Sequence, residues 1–203
     1  MKLETKRLLI RPFKMSDDID LYEMCKDPDT AFDAGWSPHE SIHTSRNVIM
    51  NYMYADETHA IMLKKPKKVI GTISLYKNNL RRDYTVRELG FCLNKSYRNQ
   101  GFMKEAVYAV LEYGFKELGL DLIMVCHHDK NIACKKVLEY FPFMYEGTLR
   151  MYRRMYDGNM VDAMMYSMKK EEFWRYKNEI LYCSIFDYCN ISTFCSLYKC
   201  TSV

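Results

Sequence analysis

Between Gly101 and Leu118 the apolar positions Met103, Val107, Val110, Leu111, Gly114 and Leu118 recur at steps of three and four. That spacing lays one apolar stripe along a helix, and Gly119 is a natural stop for it. Short apolar runs flank this helix. Glu88-Leu89-Gly90-Phe91-Cys92-Leu93 precedes it and Asp121 to Cys126 follows, and both read as strands. A strand–helix–strand unit in one sheet implies a parallel pair. Upstream, Leu8 to Phe13 reads as a strand ended by Pro12. Ser16-Asp17-Asp18 signals a helix start for Ile19 to Lys26, and Asp27-Pro28-Asp29 stops that helix. Gly35 to His39 reads as a loop, and Ser41 to Tyr54 has helical spacing. Thr58 to Leu63 and Val69 to Tyr76 read as strands joined by a lysine-rich turn, followed by a polar loop from Asn78 to Tyr84. Asn131 to Tyr140 reads as a helix closed by Phe141-Pro142. Phe143 to Met155 and Met160 to Met168 flank Asp157-Gly158, a hairpin signal. The pattern describes a mixed sheet with helices packed on it, an α/β (α+β) chain without internal repeats.

Composition narrows the partners. At 203 residues and 48% hydrophobic content the chain can bury one domain-sized core. Charged residues at 28% exclude a membrane-embedded protein. No run approaches the ~18 apolar residues of a membrane span, and the first residues lack a signal-peptide core. A net charge of +4 is mild and scattered, which suits an anionic cofactor and gives no case for nucleic acid. Eight cysteines without a C-x-x-C pair argue against a zinc site. Cys25, Cys92 and Cys126 read as small buried hydrophobes in a reducing compartment. The expected location is the cytoplasm, with no metal.

The junction of strand and helix carries the chemistry. Tyr97 to Ala106 reads Y-R-N-Q-G-F-M-K-E-A, a glycine loop opening the strongest helix. Such a junction offers main-chain N–H groups and the positive end of the helix dipole to an anion. A dinucleotide fold would need G-x-G-x-x-G after a first strand, and a nucleoside-triphosphate loop would need G-x-x-x-x-G-K-[ST]. Neither is present. One glycine with a basic residue three positions before it suits an isolated pyrophosphate, such as that of coenzyme A.

At these residues the chain resembles the GNAT N-acetyltransferases. Arg98-Asn99-Gln100-Gly101-Phe102 matches their [RQ]-x-x-G-x-[GA] signature, with Met103 departing at the last place. Glu88-Leu89-Gly90-Phe91, Asn131-Ile132-Ala133-Cys134, Val137-Leu138-Glu139, Tyr145-Glu146-Gly147, Thr5-Lys6-Arg7-Leu8 and Asp162 with Tyr166 resemble, in order, segments of the branch that acetylates ribosomal-protein N-termini (RimJ/RimL-like). The resemblance spans residues 1–172, taken as the acetyltransferase domain. It implies the acyl-CoA N-acyltransferase fold, a central mixed, mostly antiparallel sheet flanked by helices. It also implies transfer of an acetyl group from acetyl-CoA to a primary amine by direct attack in a ternary complex. By resemblance the cofactor is held by Phe91, Cys92, Leu93, Arg98, Asn99, Gln100, Gly101, Phe102, Met103, Lys104 and Asn131. A main-chain N–H of the Glu88–Leu93 strand serves the oxyanion.

The proton chemistry leaves alternatives open. A neutral amine must attack, so a carboxylate or a water chain leading to one serves as base. Glu88 and Glu146 both fit. Cys134 stands where the family usually has serine, as a proton donor to the leaving thiolate or as a buried inert thiol. The first two helices and their loop would line the acceptor pocket, which points to Trp36 and His39, with His43 nearby and Tyr152 or Tyr156 facing them from the hairpin. His127 and His128 read as surface residues. Residues 173–203 form an aromatic, cysteine-rich extension bearing Cys183, Cys189, Cys195 and Cys200. It is expected to pack on its own domain or to form a homodimer. The acceptor is expected to be a protein N-terminus, an amino acid or a small metabolite. The rival readings are an acetyltransferase for a drug-like amine and an idle acyl-CoA-binding sensor.

Overall fold

The computed structural model describes residues 1–78 and 80–185. Eight strands form one sheet in the order β1-β2-β3-β4-β5-β6-β8-β7. They are β1 (Leu3–Glu4), β2 (Leu8–Pro12), β3 (Thr58–Leu63), β4 (Val69–Lys77), β5 (Val86–Leu93), β6 (Leu122–His128), β7 (Met144–Arg154) and β8 (Met160–Lys169). Only β5 and β6 run parallel, and every other neighbouring pair is antiparallel. The helices are α1 (Asp18–Cys25), α2 (Pro28–Ala34), α3 (Ile42–Ala55), α4 (Phe102–Lys116), α5 (Ile132–Leu138) and α6 (Lys170–Ile185). No helix among the described residues is long and apolar enough to cross a membrane.

The expected parallel pair is present, but its ladder is short. It holds three pairs, Val86–Leu122, Arg87–Ile123 and Glu88–Met124. Beyond them β5 stays with β4 as far as Leu93, while β6 stays with β8 as far as His128. The sheet therefore splits after Glu88. The facing main-chain edges of Leu89–Leu93 and Val125–His128 have no strand partner, which opens a cleft lined by hydrogen-bonding groups.

The apolar stripe of α4 packs on this sheet. Val107, Val110 and Leu111 are fully buried, and Phe115 stacks against Phe173 of α6 with ring centroids 5.3 Å apart. A fully buried side chain of this size contributes roughly 1.5–3 kcal/mol relative to exposure. Phe173 and Tyr176 belong to the same core as α4, so the packing continues past residue 172 into the start of the extension. Gly114 lets α4 lie close to β6, since a Cβ there would meet Ile123 Cδ1 at 2.8 Å.

One element departs from the sequence expectation. Asp27-Pro28-Asp29 ends α1 but also starts α2. The Asp27 carboxylate accepts from the Thr30 N–H at 3.0 Å, Pro28 occupies the first turn, and Gly35 closes the helix at φ 79°. An Asp cap, a Pro at the first helical position and a left-handed Gly after the last are a complete set of helix signals. α2 has only seven residues, too few to show a period. Of the extension, residues 186–203 with Cys189, Cys195 and Cys200 lie outside the described residues, as does the side chain of Cys183.

Candidate active site

The glycine loop before α4 takes a left-handed backbone. Gly101 caps α4 at φ 78° and ψ 0°, and Asn99 also takes a left-handed backbone at φ 61°. Glu105 is the first residue of the helix whose N–H returns to the chain, bonding Gly101 O at 3.1 Å. The N–H groups of Phe102, Met103 and Lys104 are left over by helix geometry, and no side chain caps them. The Arg98 side chain is already engaged, with Nη1 donating to Asp33 at 2.9 Å and Nε to Leu93 O at 3.3 Å. Its N–H donates to Lys95 O at 3.2 Å. The loop therefore offers main-chain N–H groups to solvent, and Arg98 fastens the loop to α2.

The start of the chain braces this loop. Glu105 accepts from the Thr5 hydroxyl at 2.6 Å, the Arg7 N–H at 2.8 Å and Arg7 Nε at 2.6 Å. Burial pushes the Glu105 carboxyl up, but these donors outweigh it and hold the pKa below the ordinary value. Arg7 also donates to Gln100 O at 2.9 Å, and its guanidinium stacks 4.2 Å from the Phe102 ring centre.

Two cavities flank the split. The first, of about 330 Å³, runs from the loop along β5. Ten of the eleven expected cofactor residues line it: Phe91, Cys92, Leu93, Arg98, Asn99, Gly101, Phe102, Met103, Lys104 and Asn131. Gln100 does not, and donates instead from Nε2 to Ser96 O at 3.2 Å. The second cavity, of about 420 Å³, lies on the other side, between β4, β5, β6, α2 and the β7–β8 hairpin. Asp33, Ala34, Phe91, Cys92, Asn131 and Cys134 line both, so the cavities meet where β5 and β6 part. Asn131 caps α5 by accepting from the Cys134 N–H at 2.8 Å, and its Nδ2 donates to Asp33 O at 2.7 Å. Its amide thus ties α5 to α2.

The candidate catalytic groups separate. Glu88 lines the second cavity, and its carboxylate accepts from Asn78 Nδ2 and from the Cys126 thiol, each at 3.1 Å. Glu146 lines neither. It is the single extra residue of a bulge in β7 between Tyr145 and Gly147. There it accepts from the Ser167 hydroxyl at 2.6 Å and pairs with Arg81. Burial pushes its pKa up, but Ser167 and Arg81 hold it below the ordinary value. Burial raises the Cys134 thiol. Burial, with Glu88 adding to it, takes Cys126 up to about 12. Tyr152 is likewise raised to about 12, by burial and then by Cys126. All three stay protonated near neutrality.

On the acceptor side Trp36 and Tyr152 line the second cavity, whereas His39, His43 and Tyr156 do not. His39 is buried, its Nδ1 2.8 Å from the Ser45 hydroxyl, and burial lowers its pKa. His127 and His128, read as surface residues, are instead buried, and both line the second cavity. Their strand edge becomes interior because α2 lies over it, with Phe32 edge-on to His128 at 5.1 Å. Arg153 was not singled out in the sequence and also lines this cavity. No periodic signal marks it, since it sits in the polar run Arg153-Arg154.

The sequence profile of the acetyltransferase (GNAT) domain matches residues 7–143. The chain is 31% identical over 178 residues to the uncharacterized N-acetyltransferase YnaD of Bacillus subtilis, covering 85% of this chain and 99% of that one. A GNAT-family acetyltransferase structure from Bacillus anthracis superposes with a TM-score of 0.74 at 25% identity, covering 85% of this chain and all of that one. Spermidine N-acetyltransferase from Vibrio cholerae, solved with CoA and spermine, shares the fold with a TM-score of 0.69 at 16% identity, covering 84% of this chain and 99% of that one. With the split sheet, the left-handed glycine loop and this match, the chain belongs to the GNAT family of N-acetyltransferases.

Proposed function

We propose that the chain transfers an acetyl group from acetyl-CoA to a primary amine held in the second cavity. One observation carries this reading. The β5–β6 ladder stops at Glu88, and the gap joins a cavity leading to a pyrophosphate-type loop with a second cavity holding a carboxylate. The residues present fit the coenzyme. The N–H groups of Phe102 to Lys104 suit its pyrophosphate, and the first cavity, walled by Phe91, Leu93 and Val137, suits its pantetheine arm. The unpaired edge of Leu89–Leu93 offers main-chain groups to that arm and to a polarised carbonyl oxygen.

Acetyl-CoA supplies an activated acyl group as a thioester. The chain's residues orient the amine and move its proton. Glu88 is the base in this reading, because its carboxylate lies in the second cavity while that of Glu146 is spent on Arg81 and Ser167. Asn78 and Cys126 fix its orientation by hydrogen bonds. Cys134, raised by burial, is a weaker acid than a free thiol near 8.5. It is therefore a poor proton source, and the thiolate that leaves as the C–S bond breaks takes its proton from water. Joining two reactants across one gap supplies much of the acceleration by orientation. The free thiols fit a reducing compartment, and we place the protein in the cytoplasm.

The test is release of free CoA thiol from acetyl-CoA with a panel of amines that includes N-terminal peptides, amino acids and polyamines. Turnover with any of them supports the transferase. Tight acetyl-CoA binding without thiol release with every amine would favour an idle sensor.

A further inference from the structure

β7 and β8 lose register between Leu149 and Arg153. Leu149 pairs with Ala163 and Arg153 with Val161, so Arg150, Met151 and Tyr152 stand opposite one residue, Asp162. Met151 takes φ 55°, a backbone that costs a non-glycine residue about 1–3 kcal/mol. Asp162 holds it there, its Oδ1 accepting the Met151 N–H at 2.8 Å.

The distortion has a geometric result. Consecutive strand residues face opposite sides of a sheet; three residues opposite one break that alternation, and Tyr152 and Arg153 both line the second cavity, as do consecutive residues of β5 and β6 at the split. Bulges re-aim side chains in this way beside active sites. The Arg153 guanidinium lies 5.6 Å from the Tyr152 ring centre and rests on Gly35. A Cβ at Gly35 would stand 2.6 Å from Arg153 Nη1, so glycine leaves the seat open. Among the described residues Arg153 has no hydrogen-bond or ion-pair partner, whereas Arg98, Arg81 and Arg7 each have a carboxylate. Beside it in the same wall is Trp36, whose indole N–H is buried without an acceptor. The cavity thus holds two carboxylates, Glu88 and Asp33, of which Asp33 is paired with Arg98, and at its Gly35 side the exposed Arg153 guanidinium and the buried Trp36 N–H lack an acceptor among the described residues.

Resting on the acetyltransferase reading, we infer that the acceptor is a small amine that also carries a carboxylate, with the carboxylate held by Arg153 and the amine toward Glu88. A guanidinium meets a carboxylate with two parallel hydrogen bonds. Polyamines would meet Arg153 as a like charge.

The experiment compares amino acids and ω-amino acids with the amides or alkylamines that lack only the carboxylate. Wild type and Arg153→Ala are read by kcat/KM for CoA release and by calorimetric titration into the protein–CoA complex. Wild type should favour the acids on the order of 10- to 100-fold, the scale of a charge-assisted pair. In Arg153→Ala that ratio should fall to near one through KM, and Arg153→Glu should favour polyamines. Equal use of acid and amide by the wild type, in turnover or in binding, overturns the inference alone, as does a ratio that survives Arg153→Ala. Failure of the wild type to bind acetyl-CoA overturns the acetyltransferase reading as well.

Discussion

At the scale of single residues, two carboxylates with equal claims in the sequence are separated by their neighbours. Glu88 keeps its carboxylate in the cavity, with two donors orienting it, while Glu146 is neutralised by Arg81 and Ser167 at a bulge outside both cavities. Glu88→Gln is expected to lower kcat by about 10²- to 10⁴-fold, the range of a lost general base, with the acetyl-CoA Kd unchanged. Glu146→Gln is expected to leave kcat within a few-fold and to lower Tm. Stopped-time CoA release and thermal melts on the two variants decide between them, and the reverse pattern would move the base to Glu146. Sequence could not make this choice, because both acids sit at strand positions within motif segments and the deciding contacts come from Asn78, Cys126, Arg81 and Ser167. The two histidines of β6 are a related case, buried where the sequence reading puts them at the surface. His127 and His128 end a strand, a place usually met by solvent, and only α2 makes it interior.

At the scale of elements, the long periodic ones were legible and the short or distorted ones were not. α4, the β3–β4 pair and the hairpin turn at Asp157-Gly158 stand within a residue or two of their sequence readings, since each has a period or a turn dipeptide. α2 is too short for a period, and Asp27-Pro28 reads as a stop for α1 although Asp27, Pro28 and Gly35 also bound a second helix. The distortion at Arg150–Tyr152 leaves no local mark, as it depends on Asp162 eleven residues after Met151. Asp162→Ala should therefore relax β7 and re-aim Arg153. Its expected effect is a loss of acid-over-amide preference like that of Arg153→Ala, with Asp162→Asn, which keeps an acceptor, restoring much of it. A fall in Tm with the preference intact would make Asp162 structural only. The brace on α4 gives a pH-dependent prediction. Glu105 has a folded pKa below the ordinary value of 4.5, so its stabilisation is present above that value and is lost as pH falls through the folded pKa. Glu105→Gln should cost about 1 kcal/mol at pH 7. Urea melts should show the gap to wild type closing as pH drops below that value, and a gap independent of pH would reject the ionic brace.

At the scale of the whole molecule, the site is built by a sheet that comes apart. Three parallel pairs hold β5 to β6, and beyond them the strands follow different partners. α2 lies across the opening, tied to the glycine loop through Arg98–Asp33, to α5 through Asn131 and to β6 through Phe32. The motifs point to a coenzyme side because main-chain recognition of a pyrophosphate needs few residues in fixed order. They left the acceptor side open, because that cavity draws its lining from eight separate elements and the loops between them. The most direct measurement is a calorimetric titration of acetyl-CoA into wild type and Gly101→Glu. The variant places a side chain and a negative charge at a backbone of φ 78° beside the free N–H groups. Micromolar-range binding by the wild type, lost in a variant that melts normally, is the expected result. Equal binding by both, or none by the folded wild type, would contradict a coenzyme site at the split sheet.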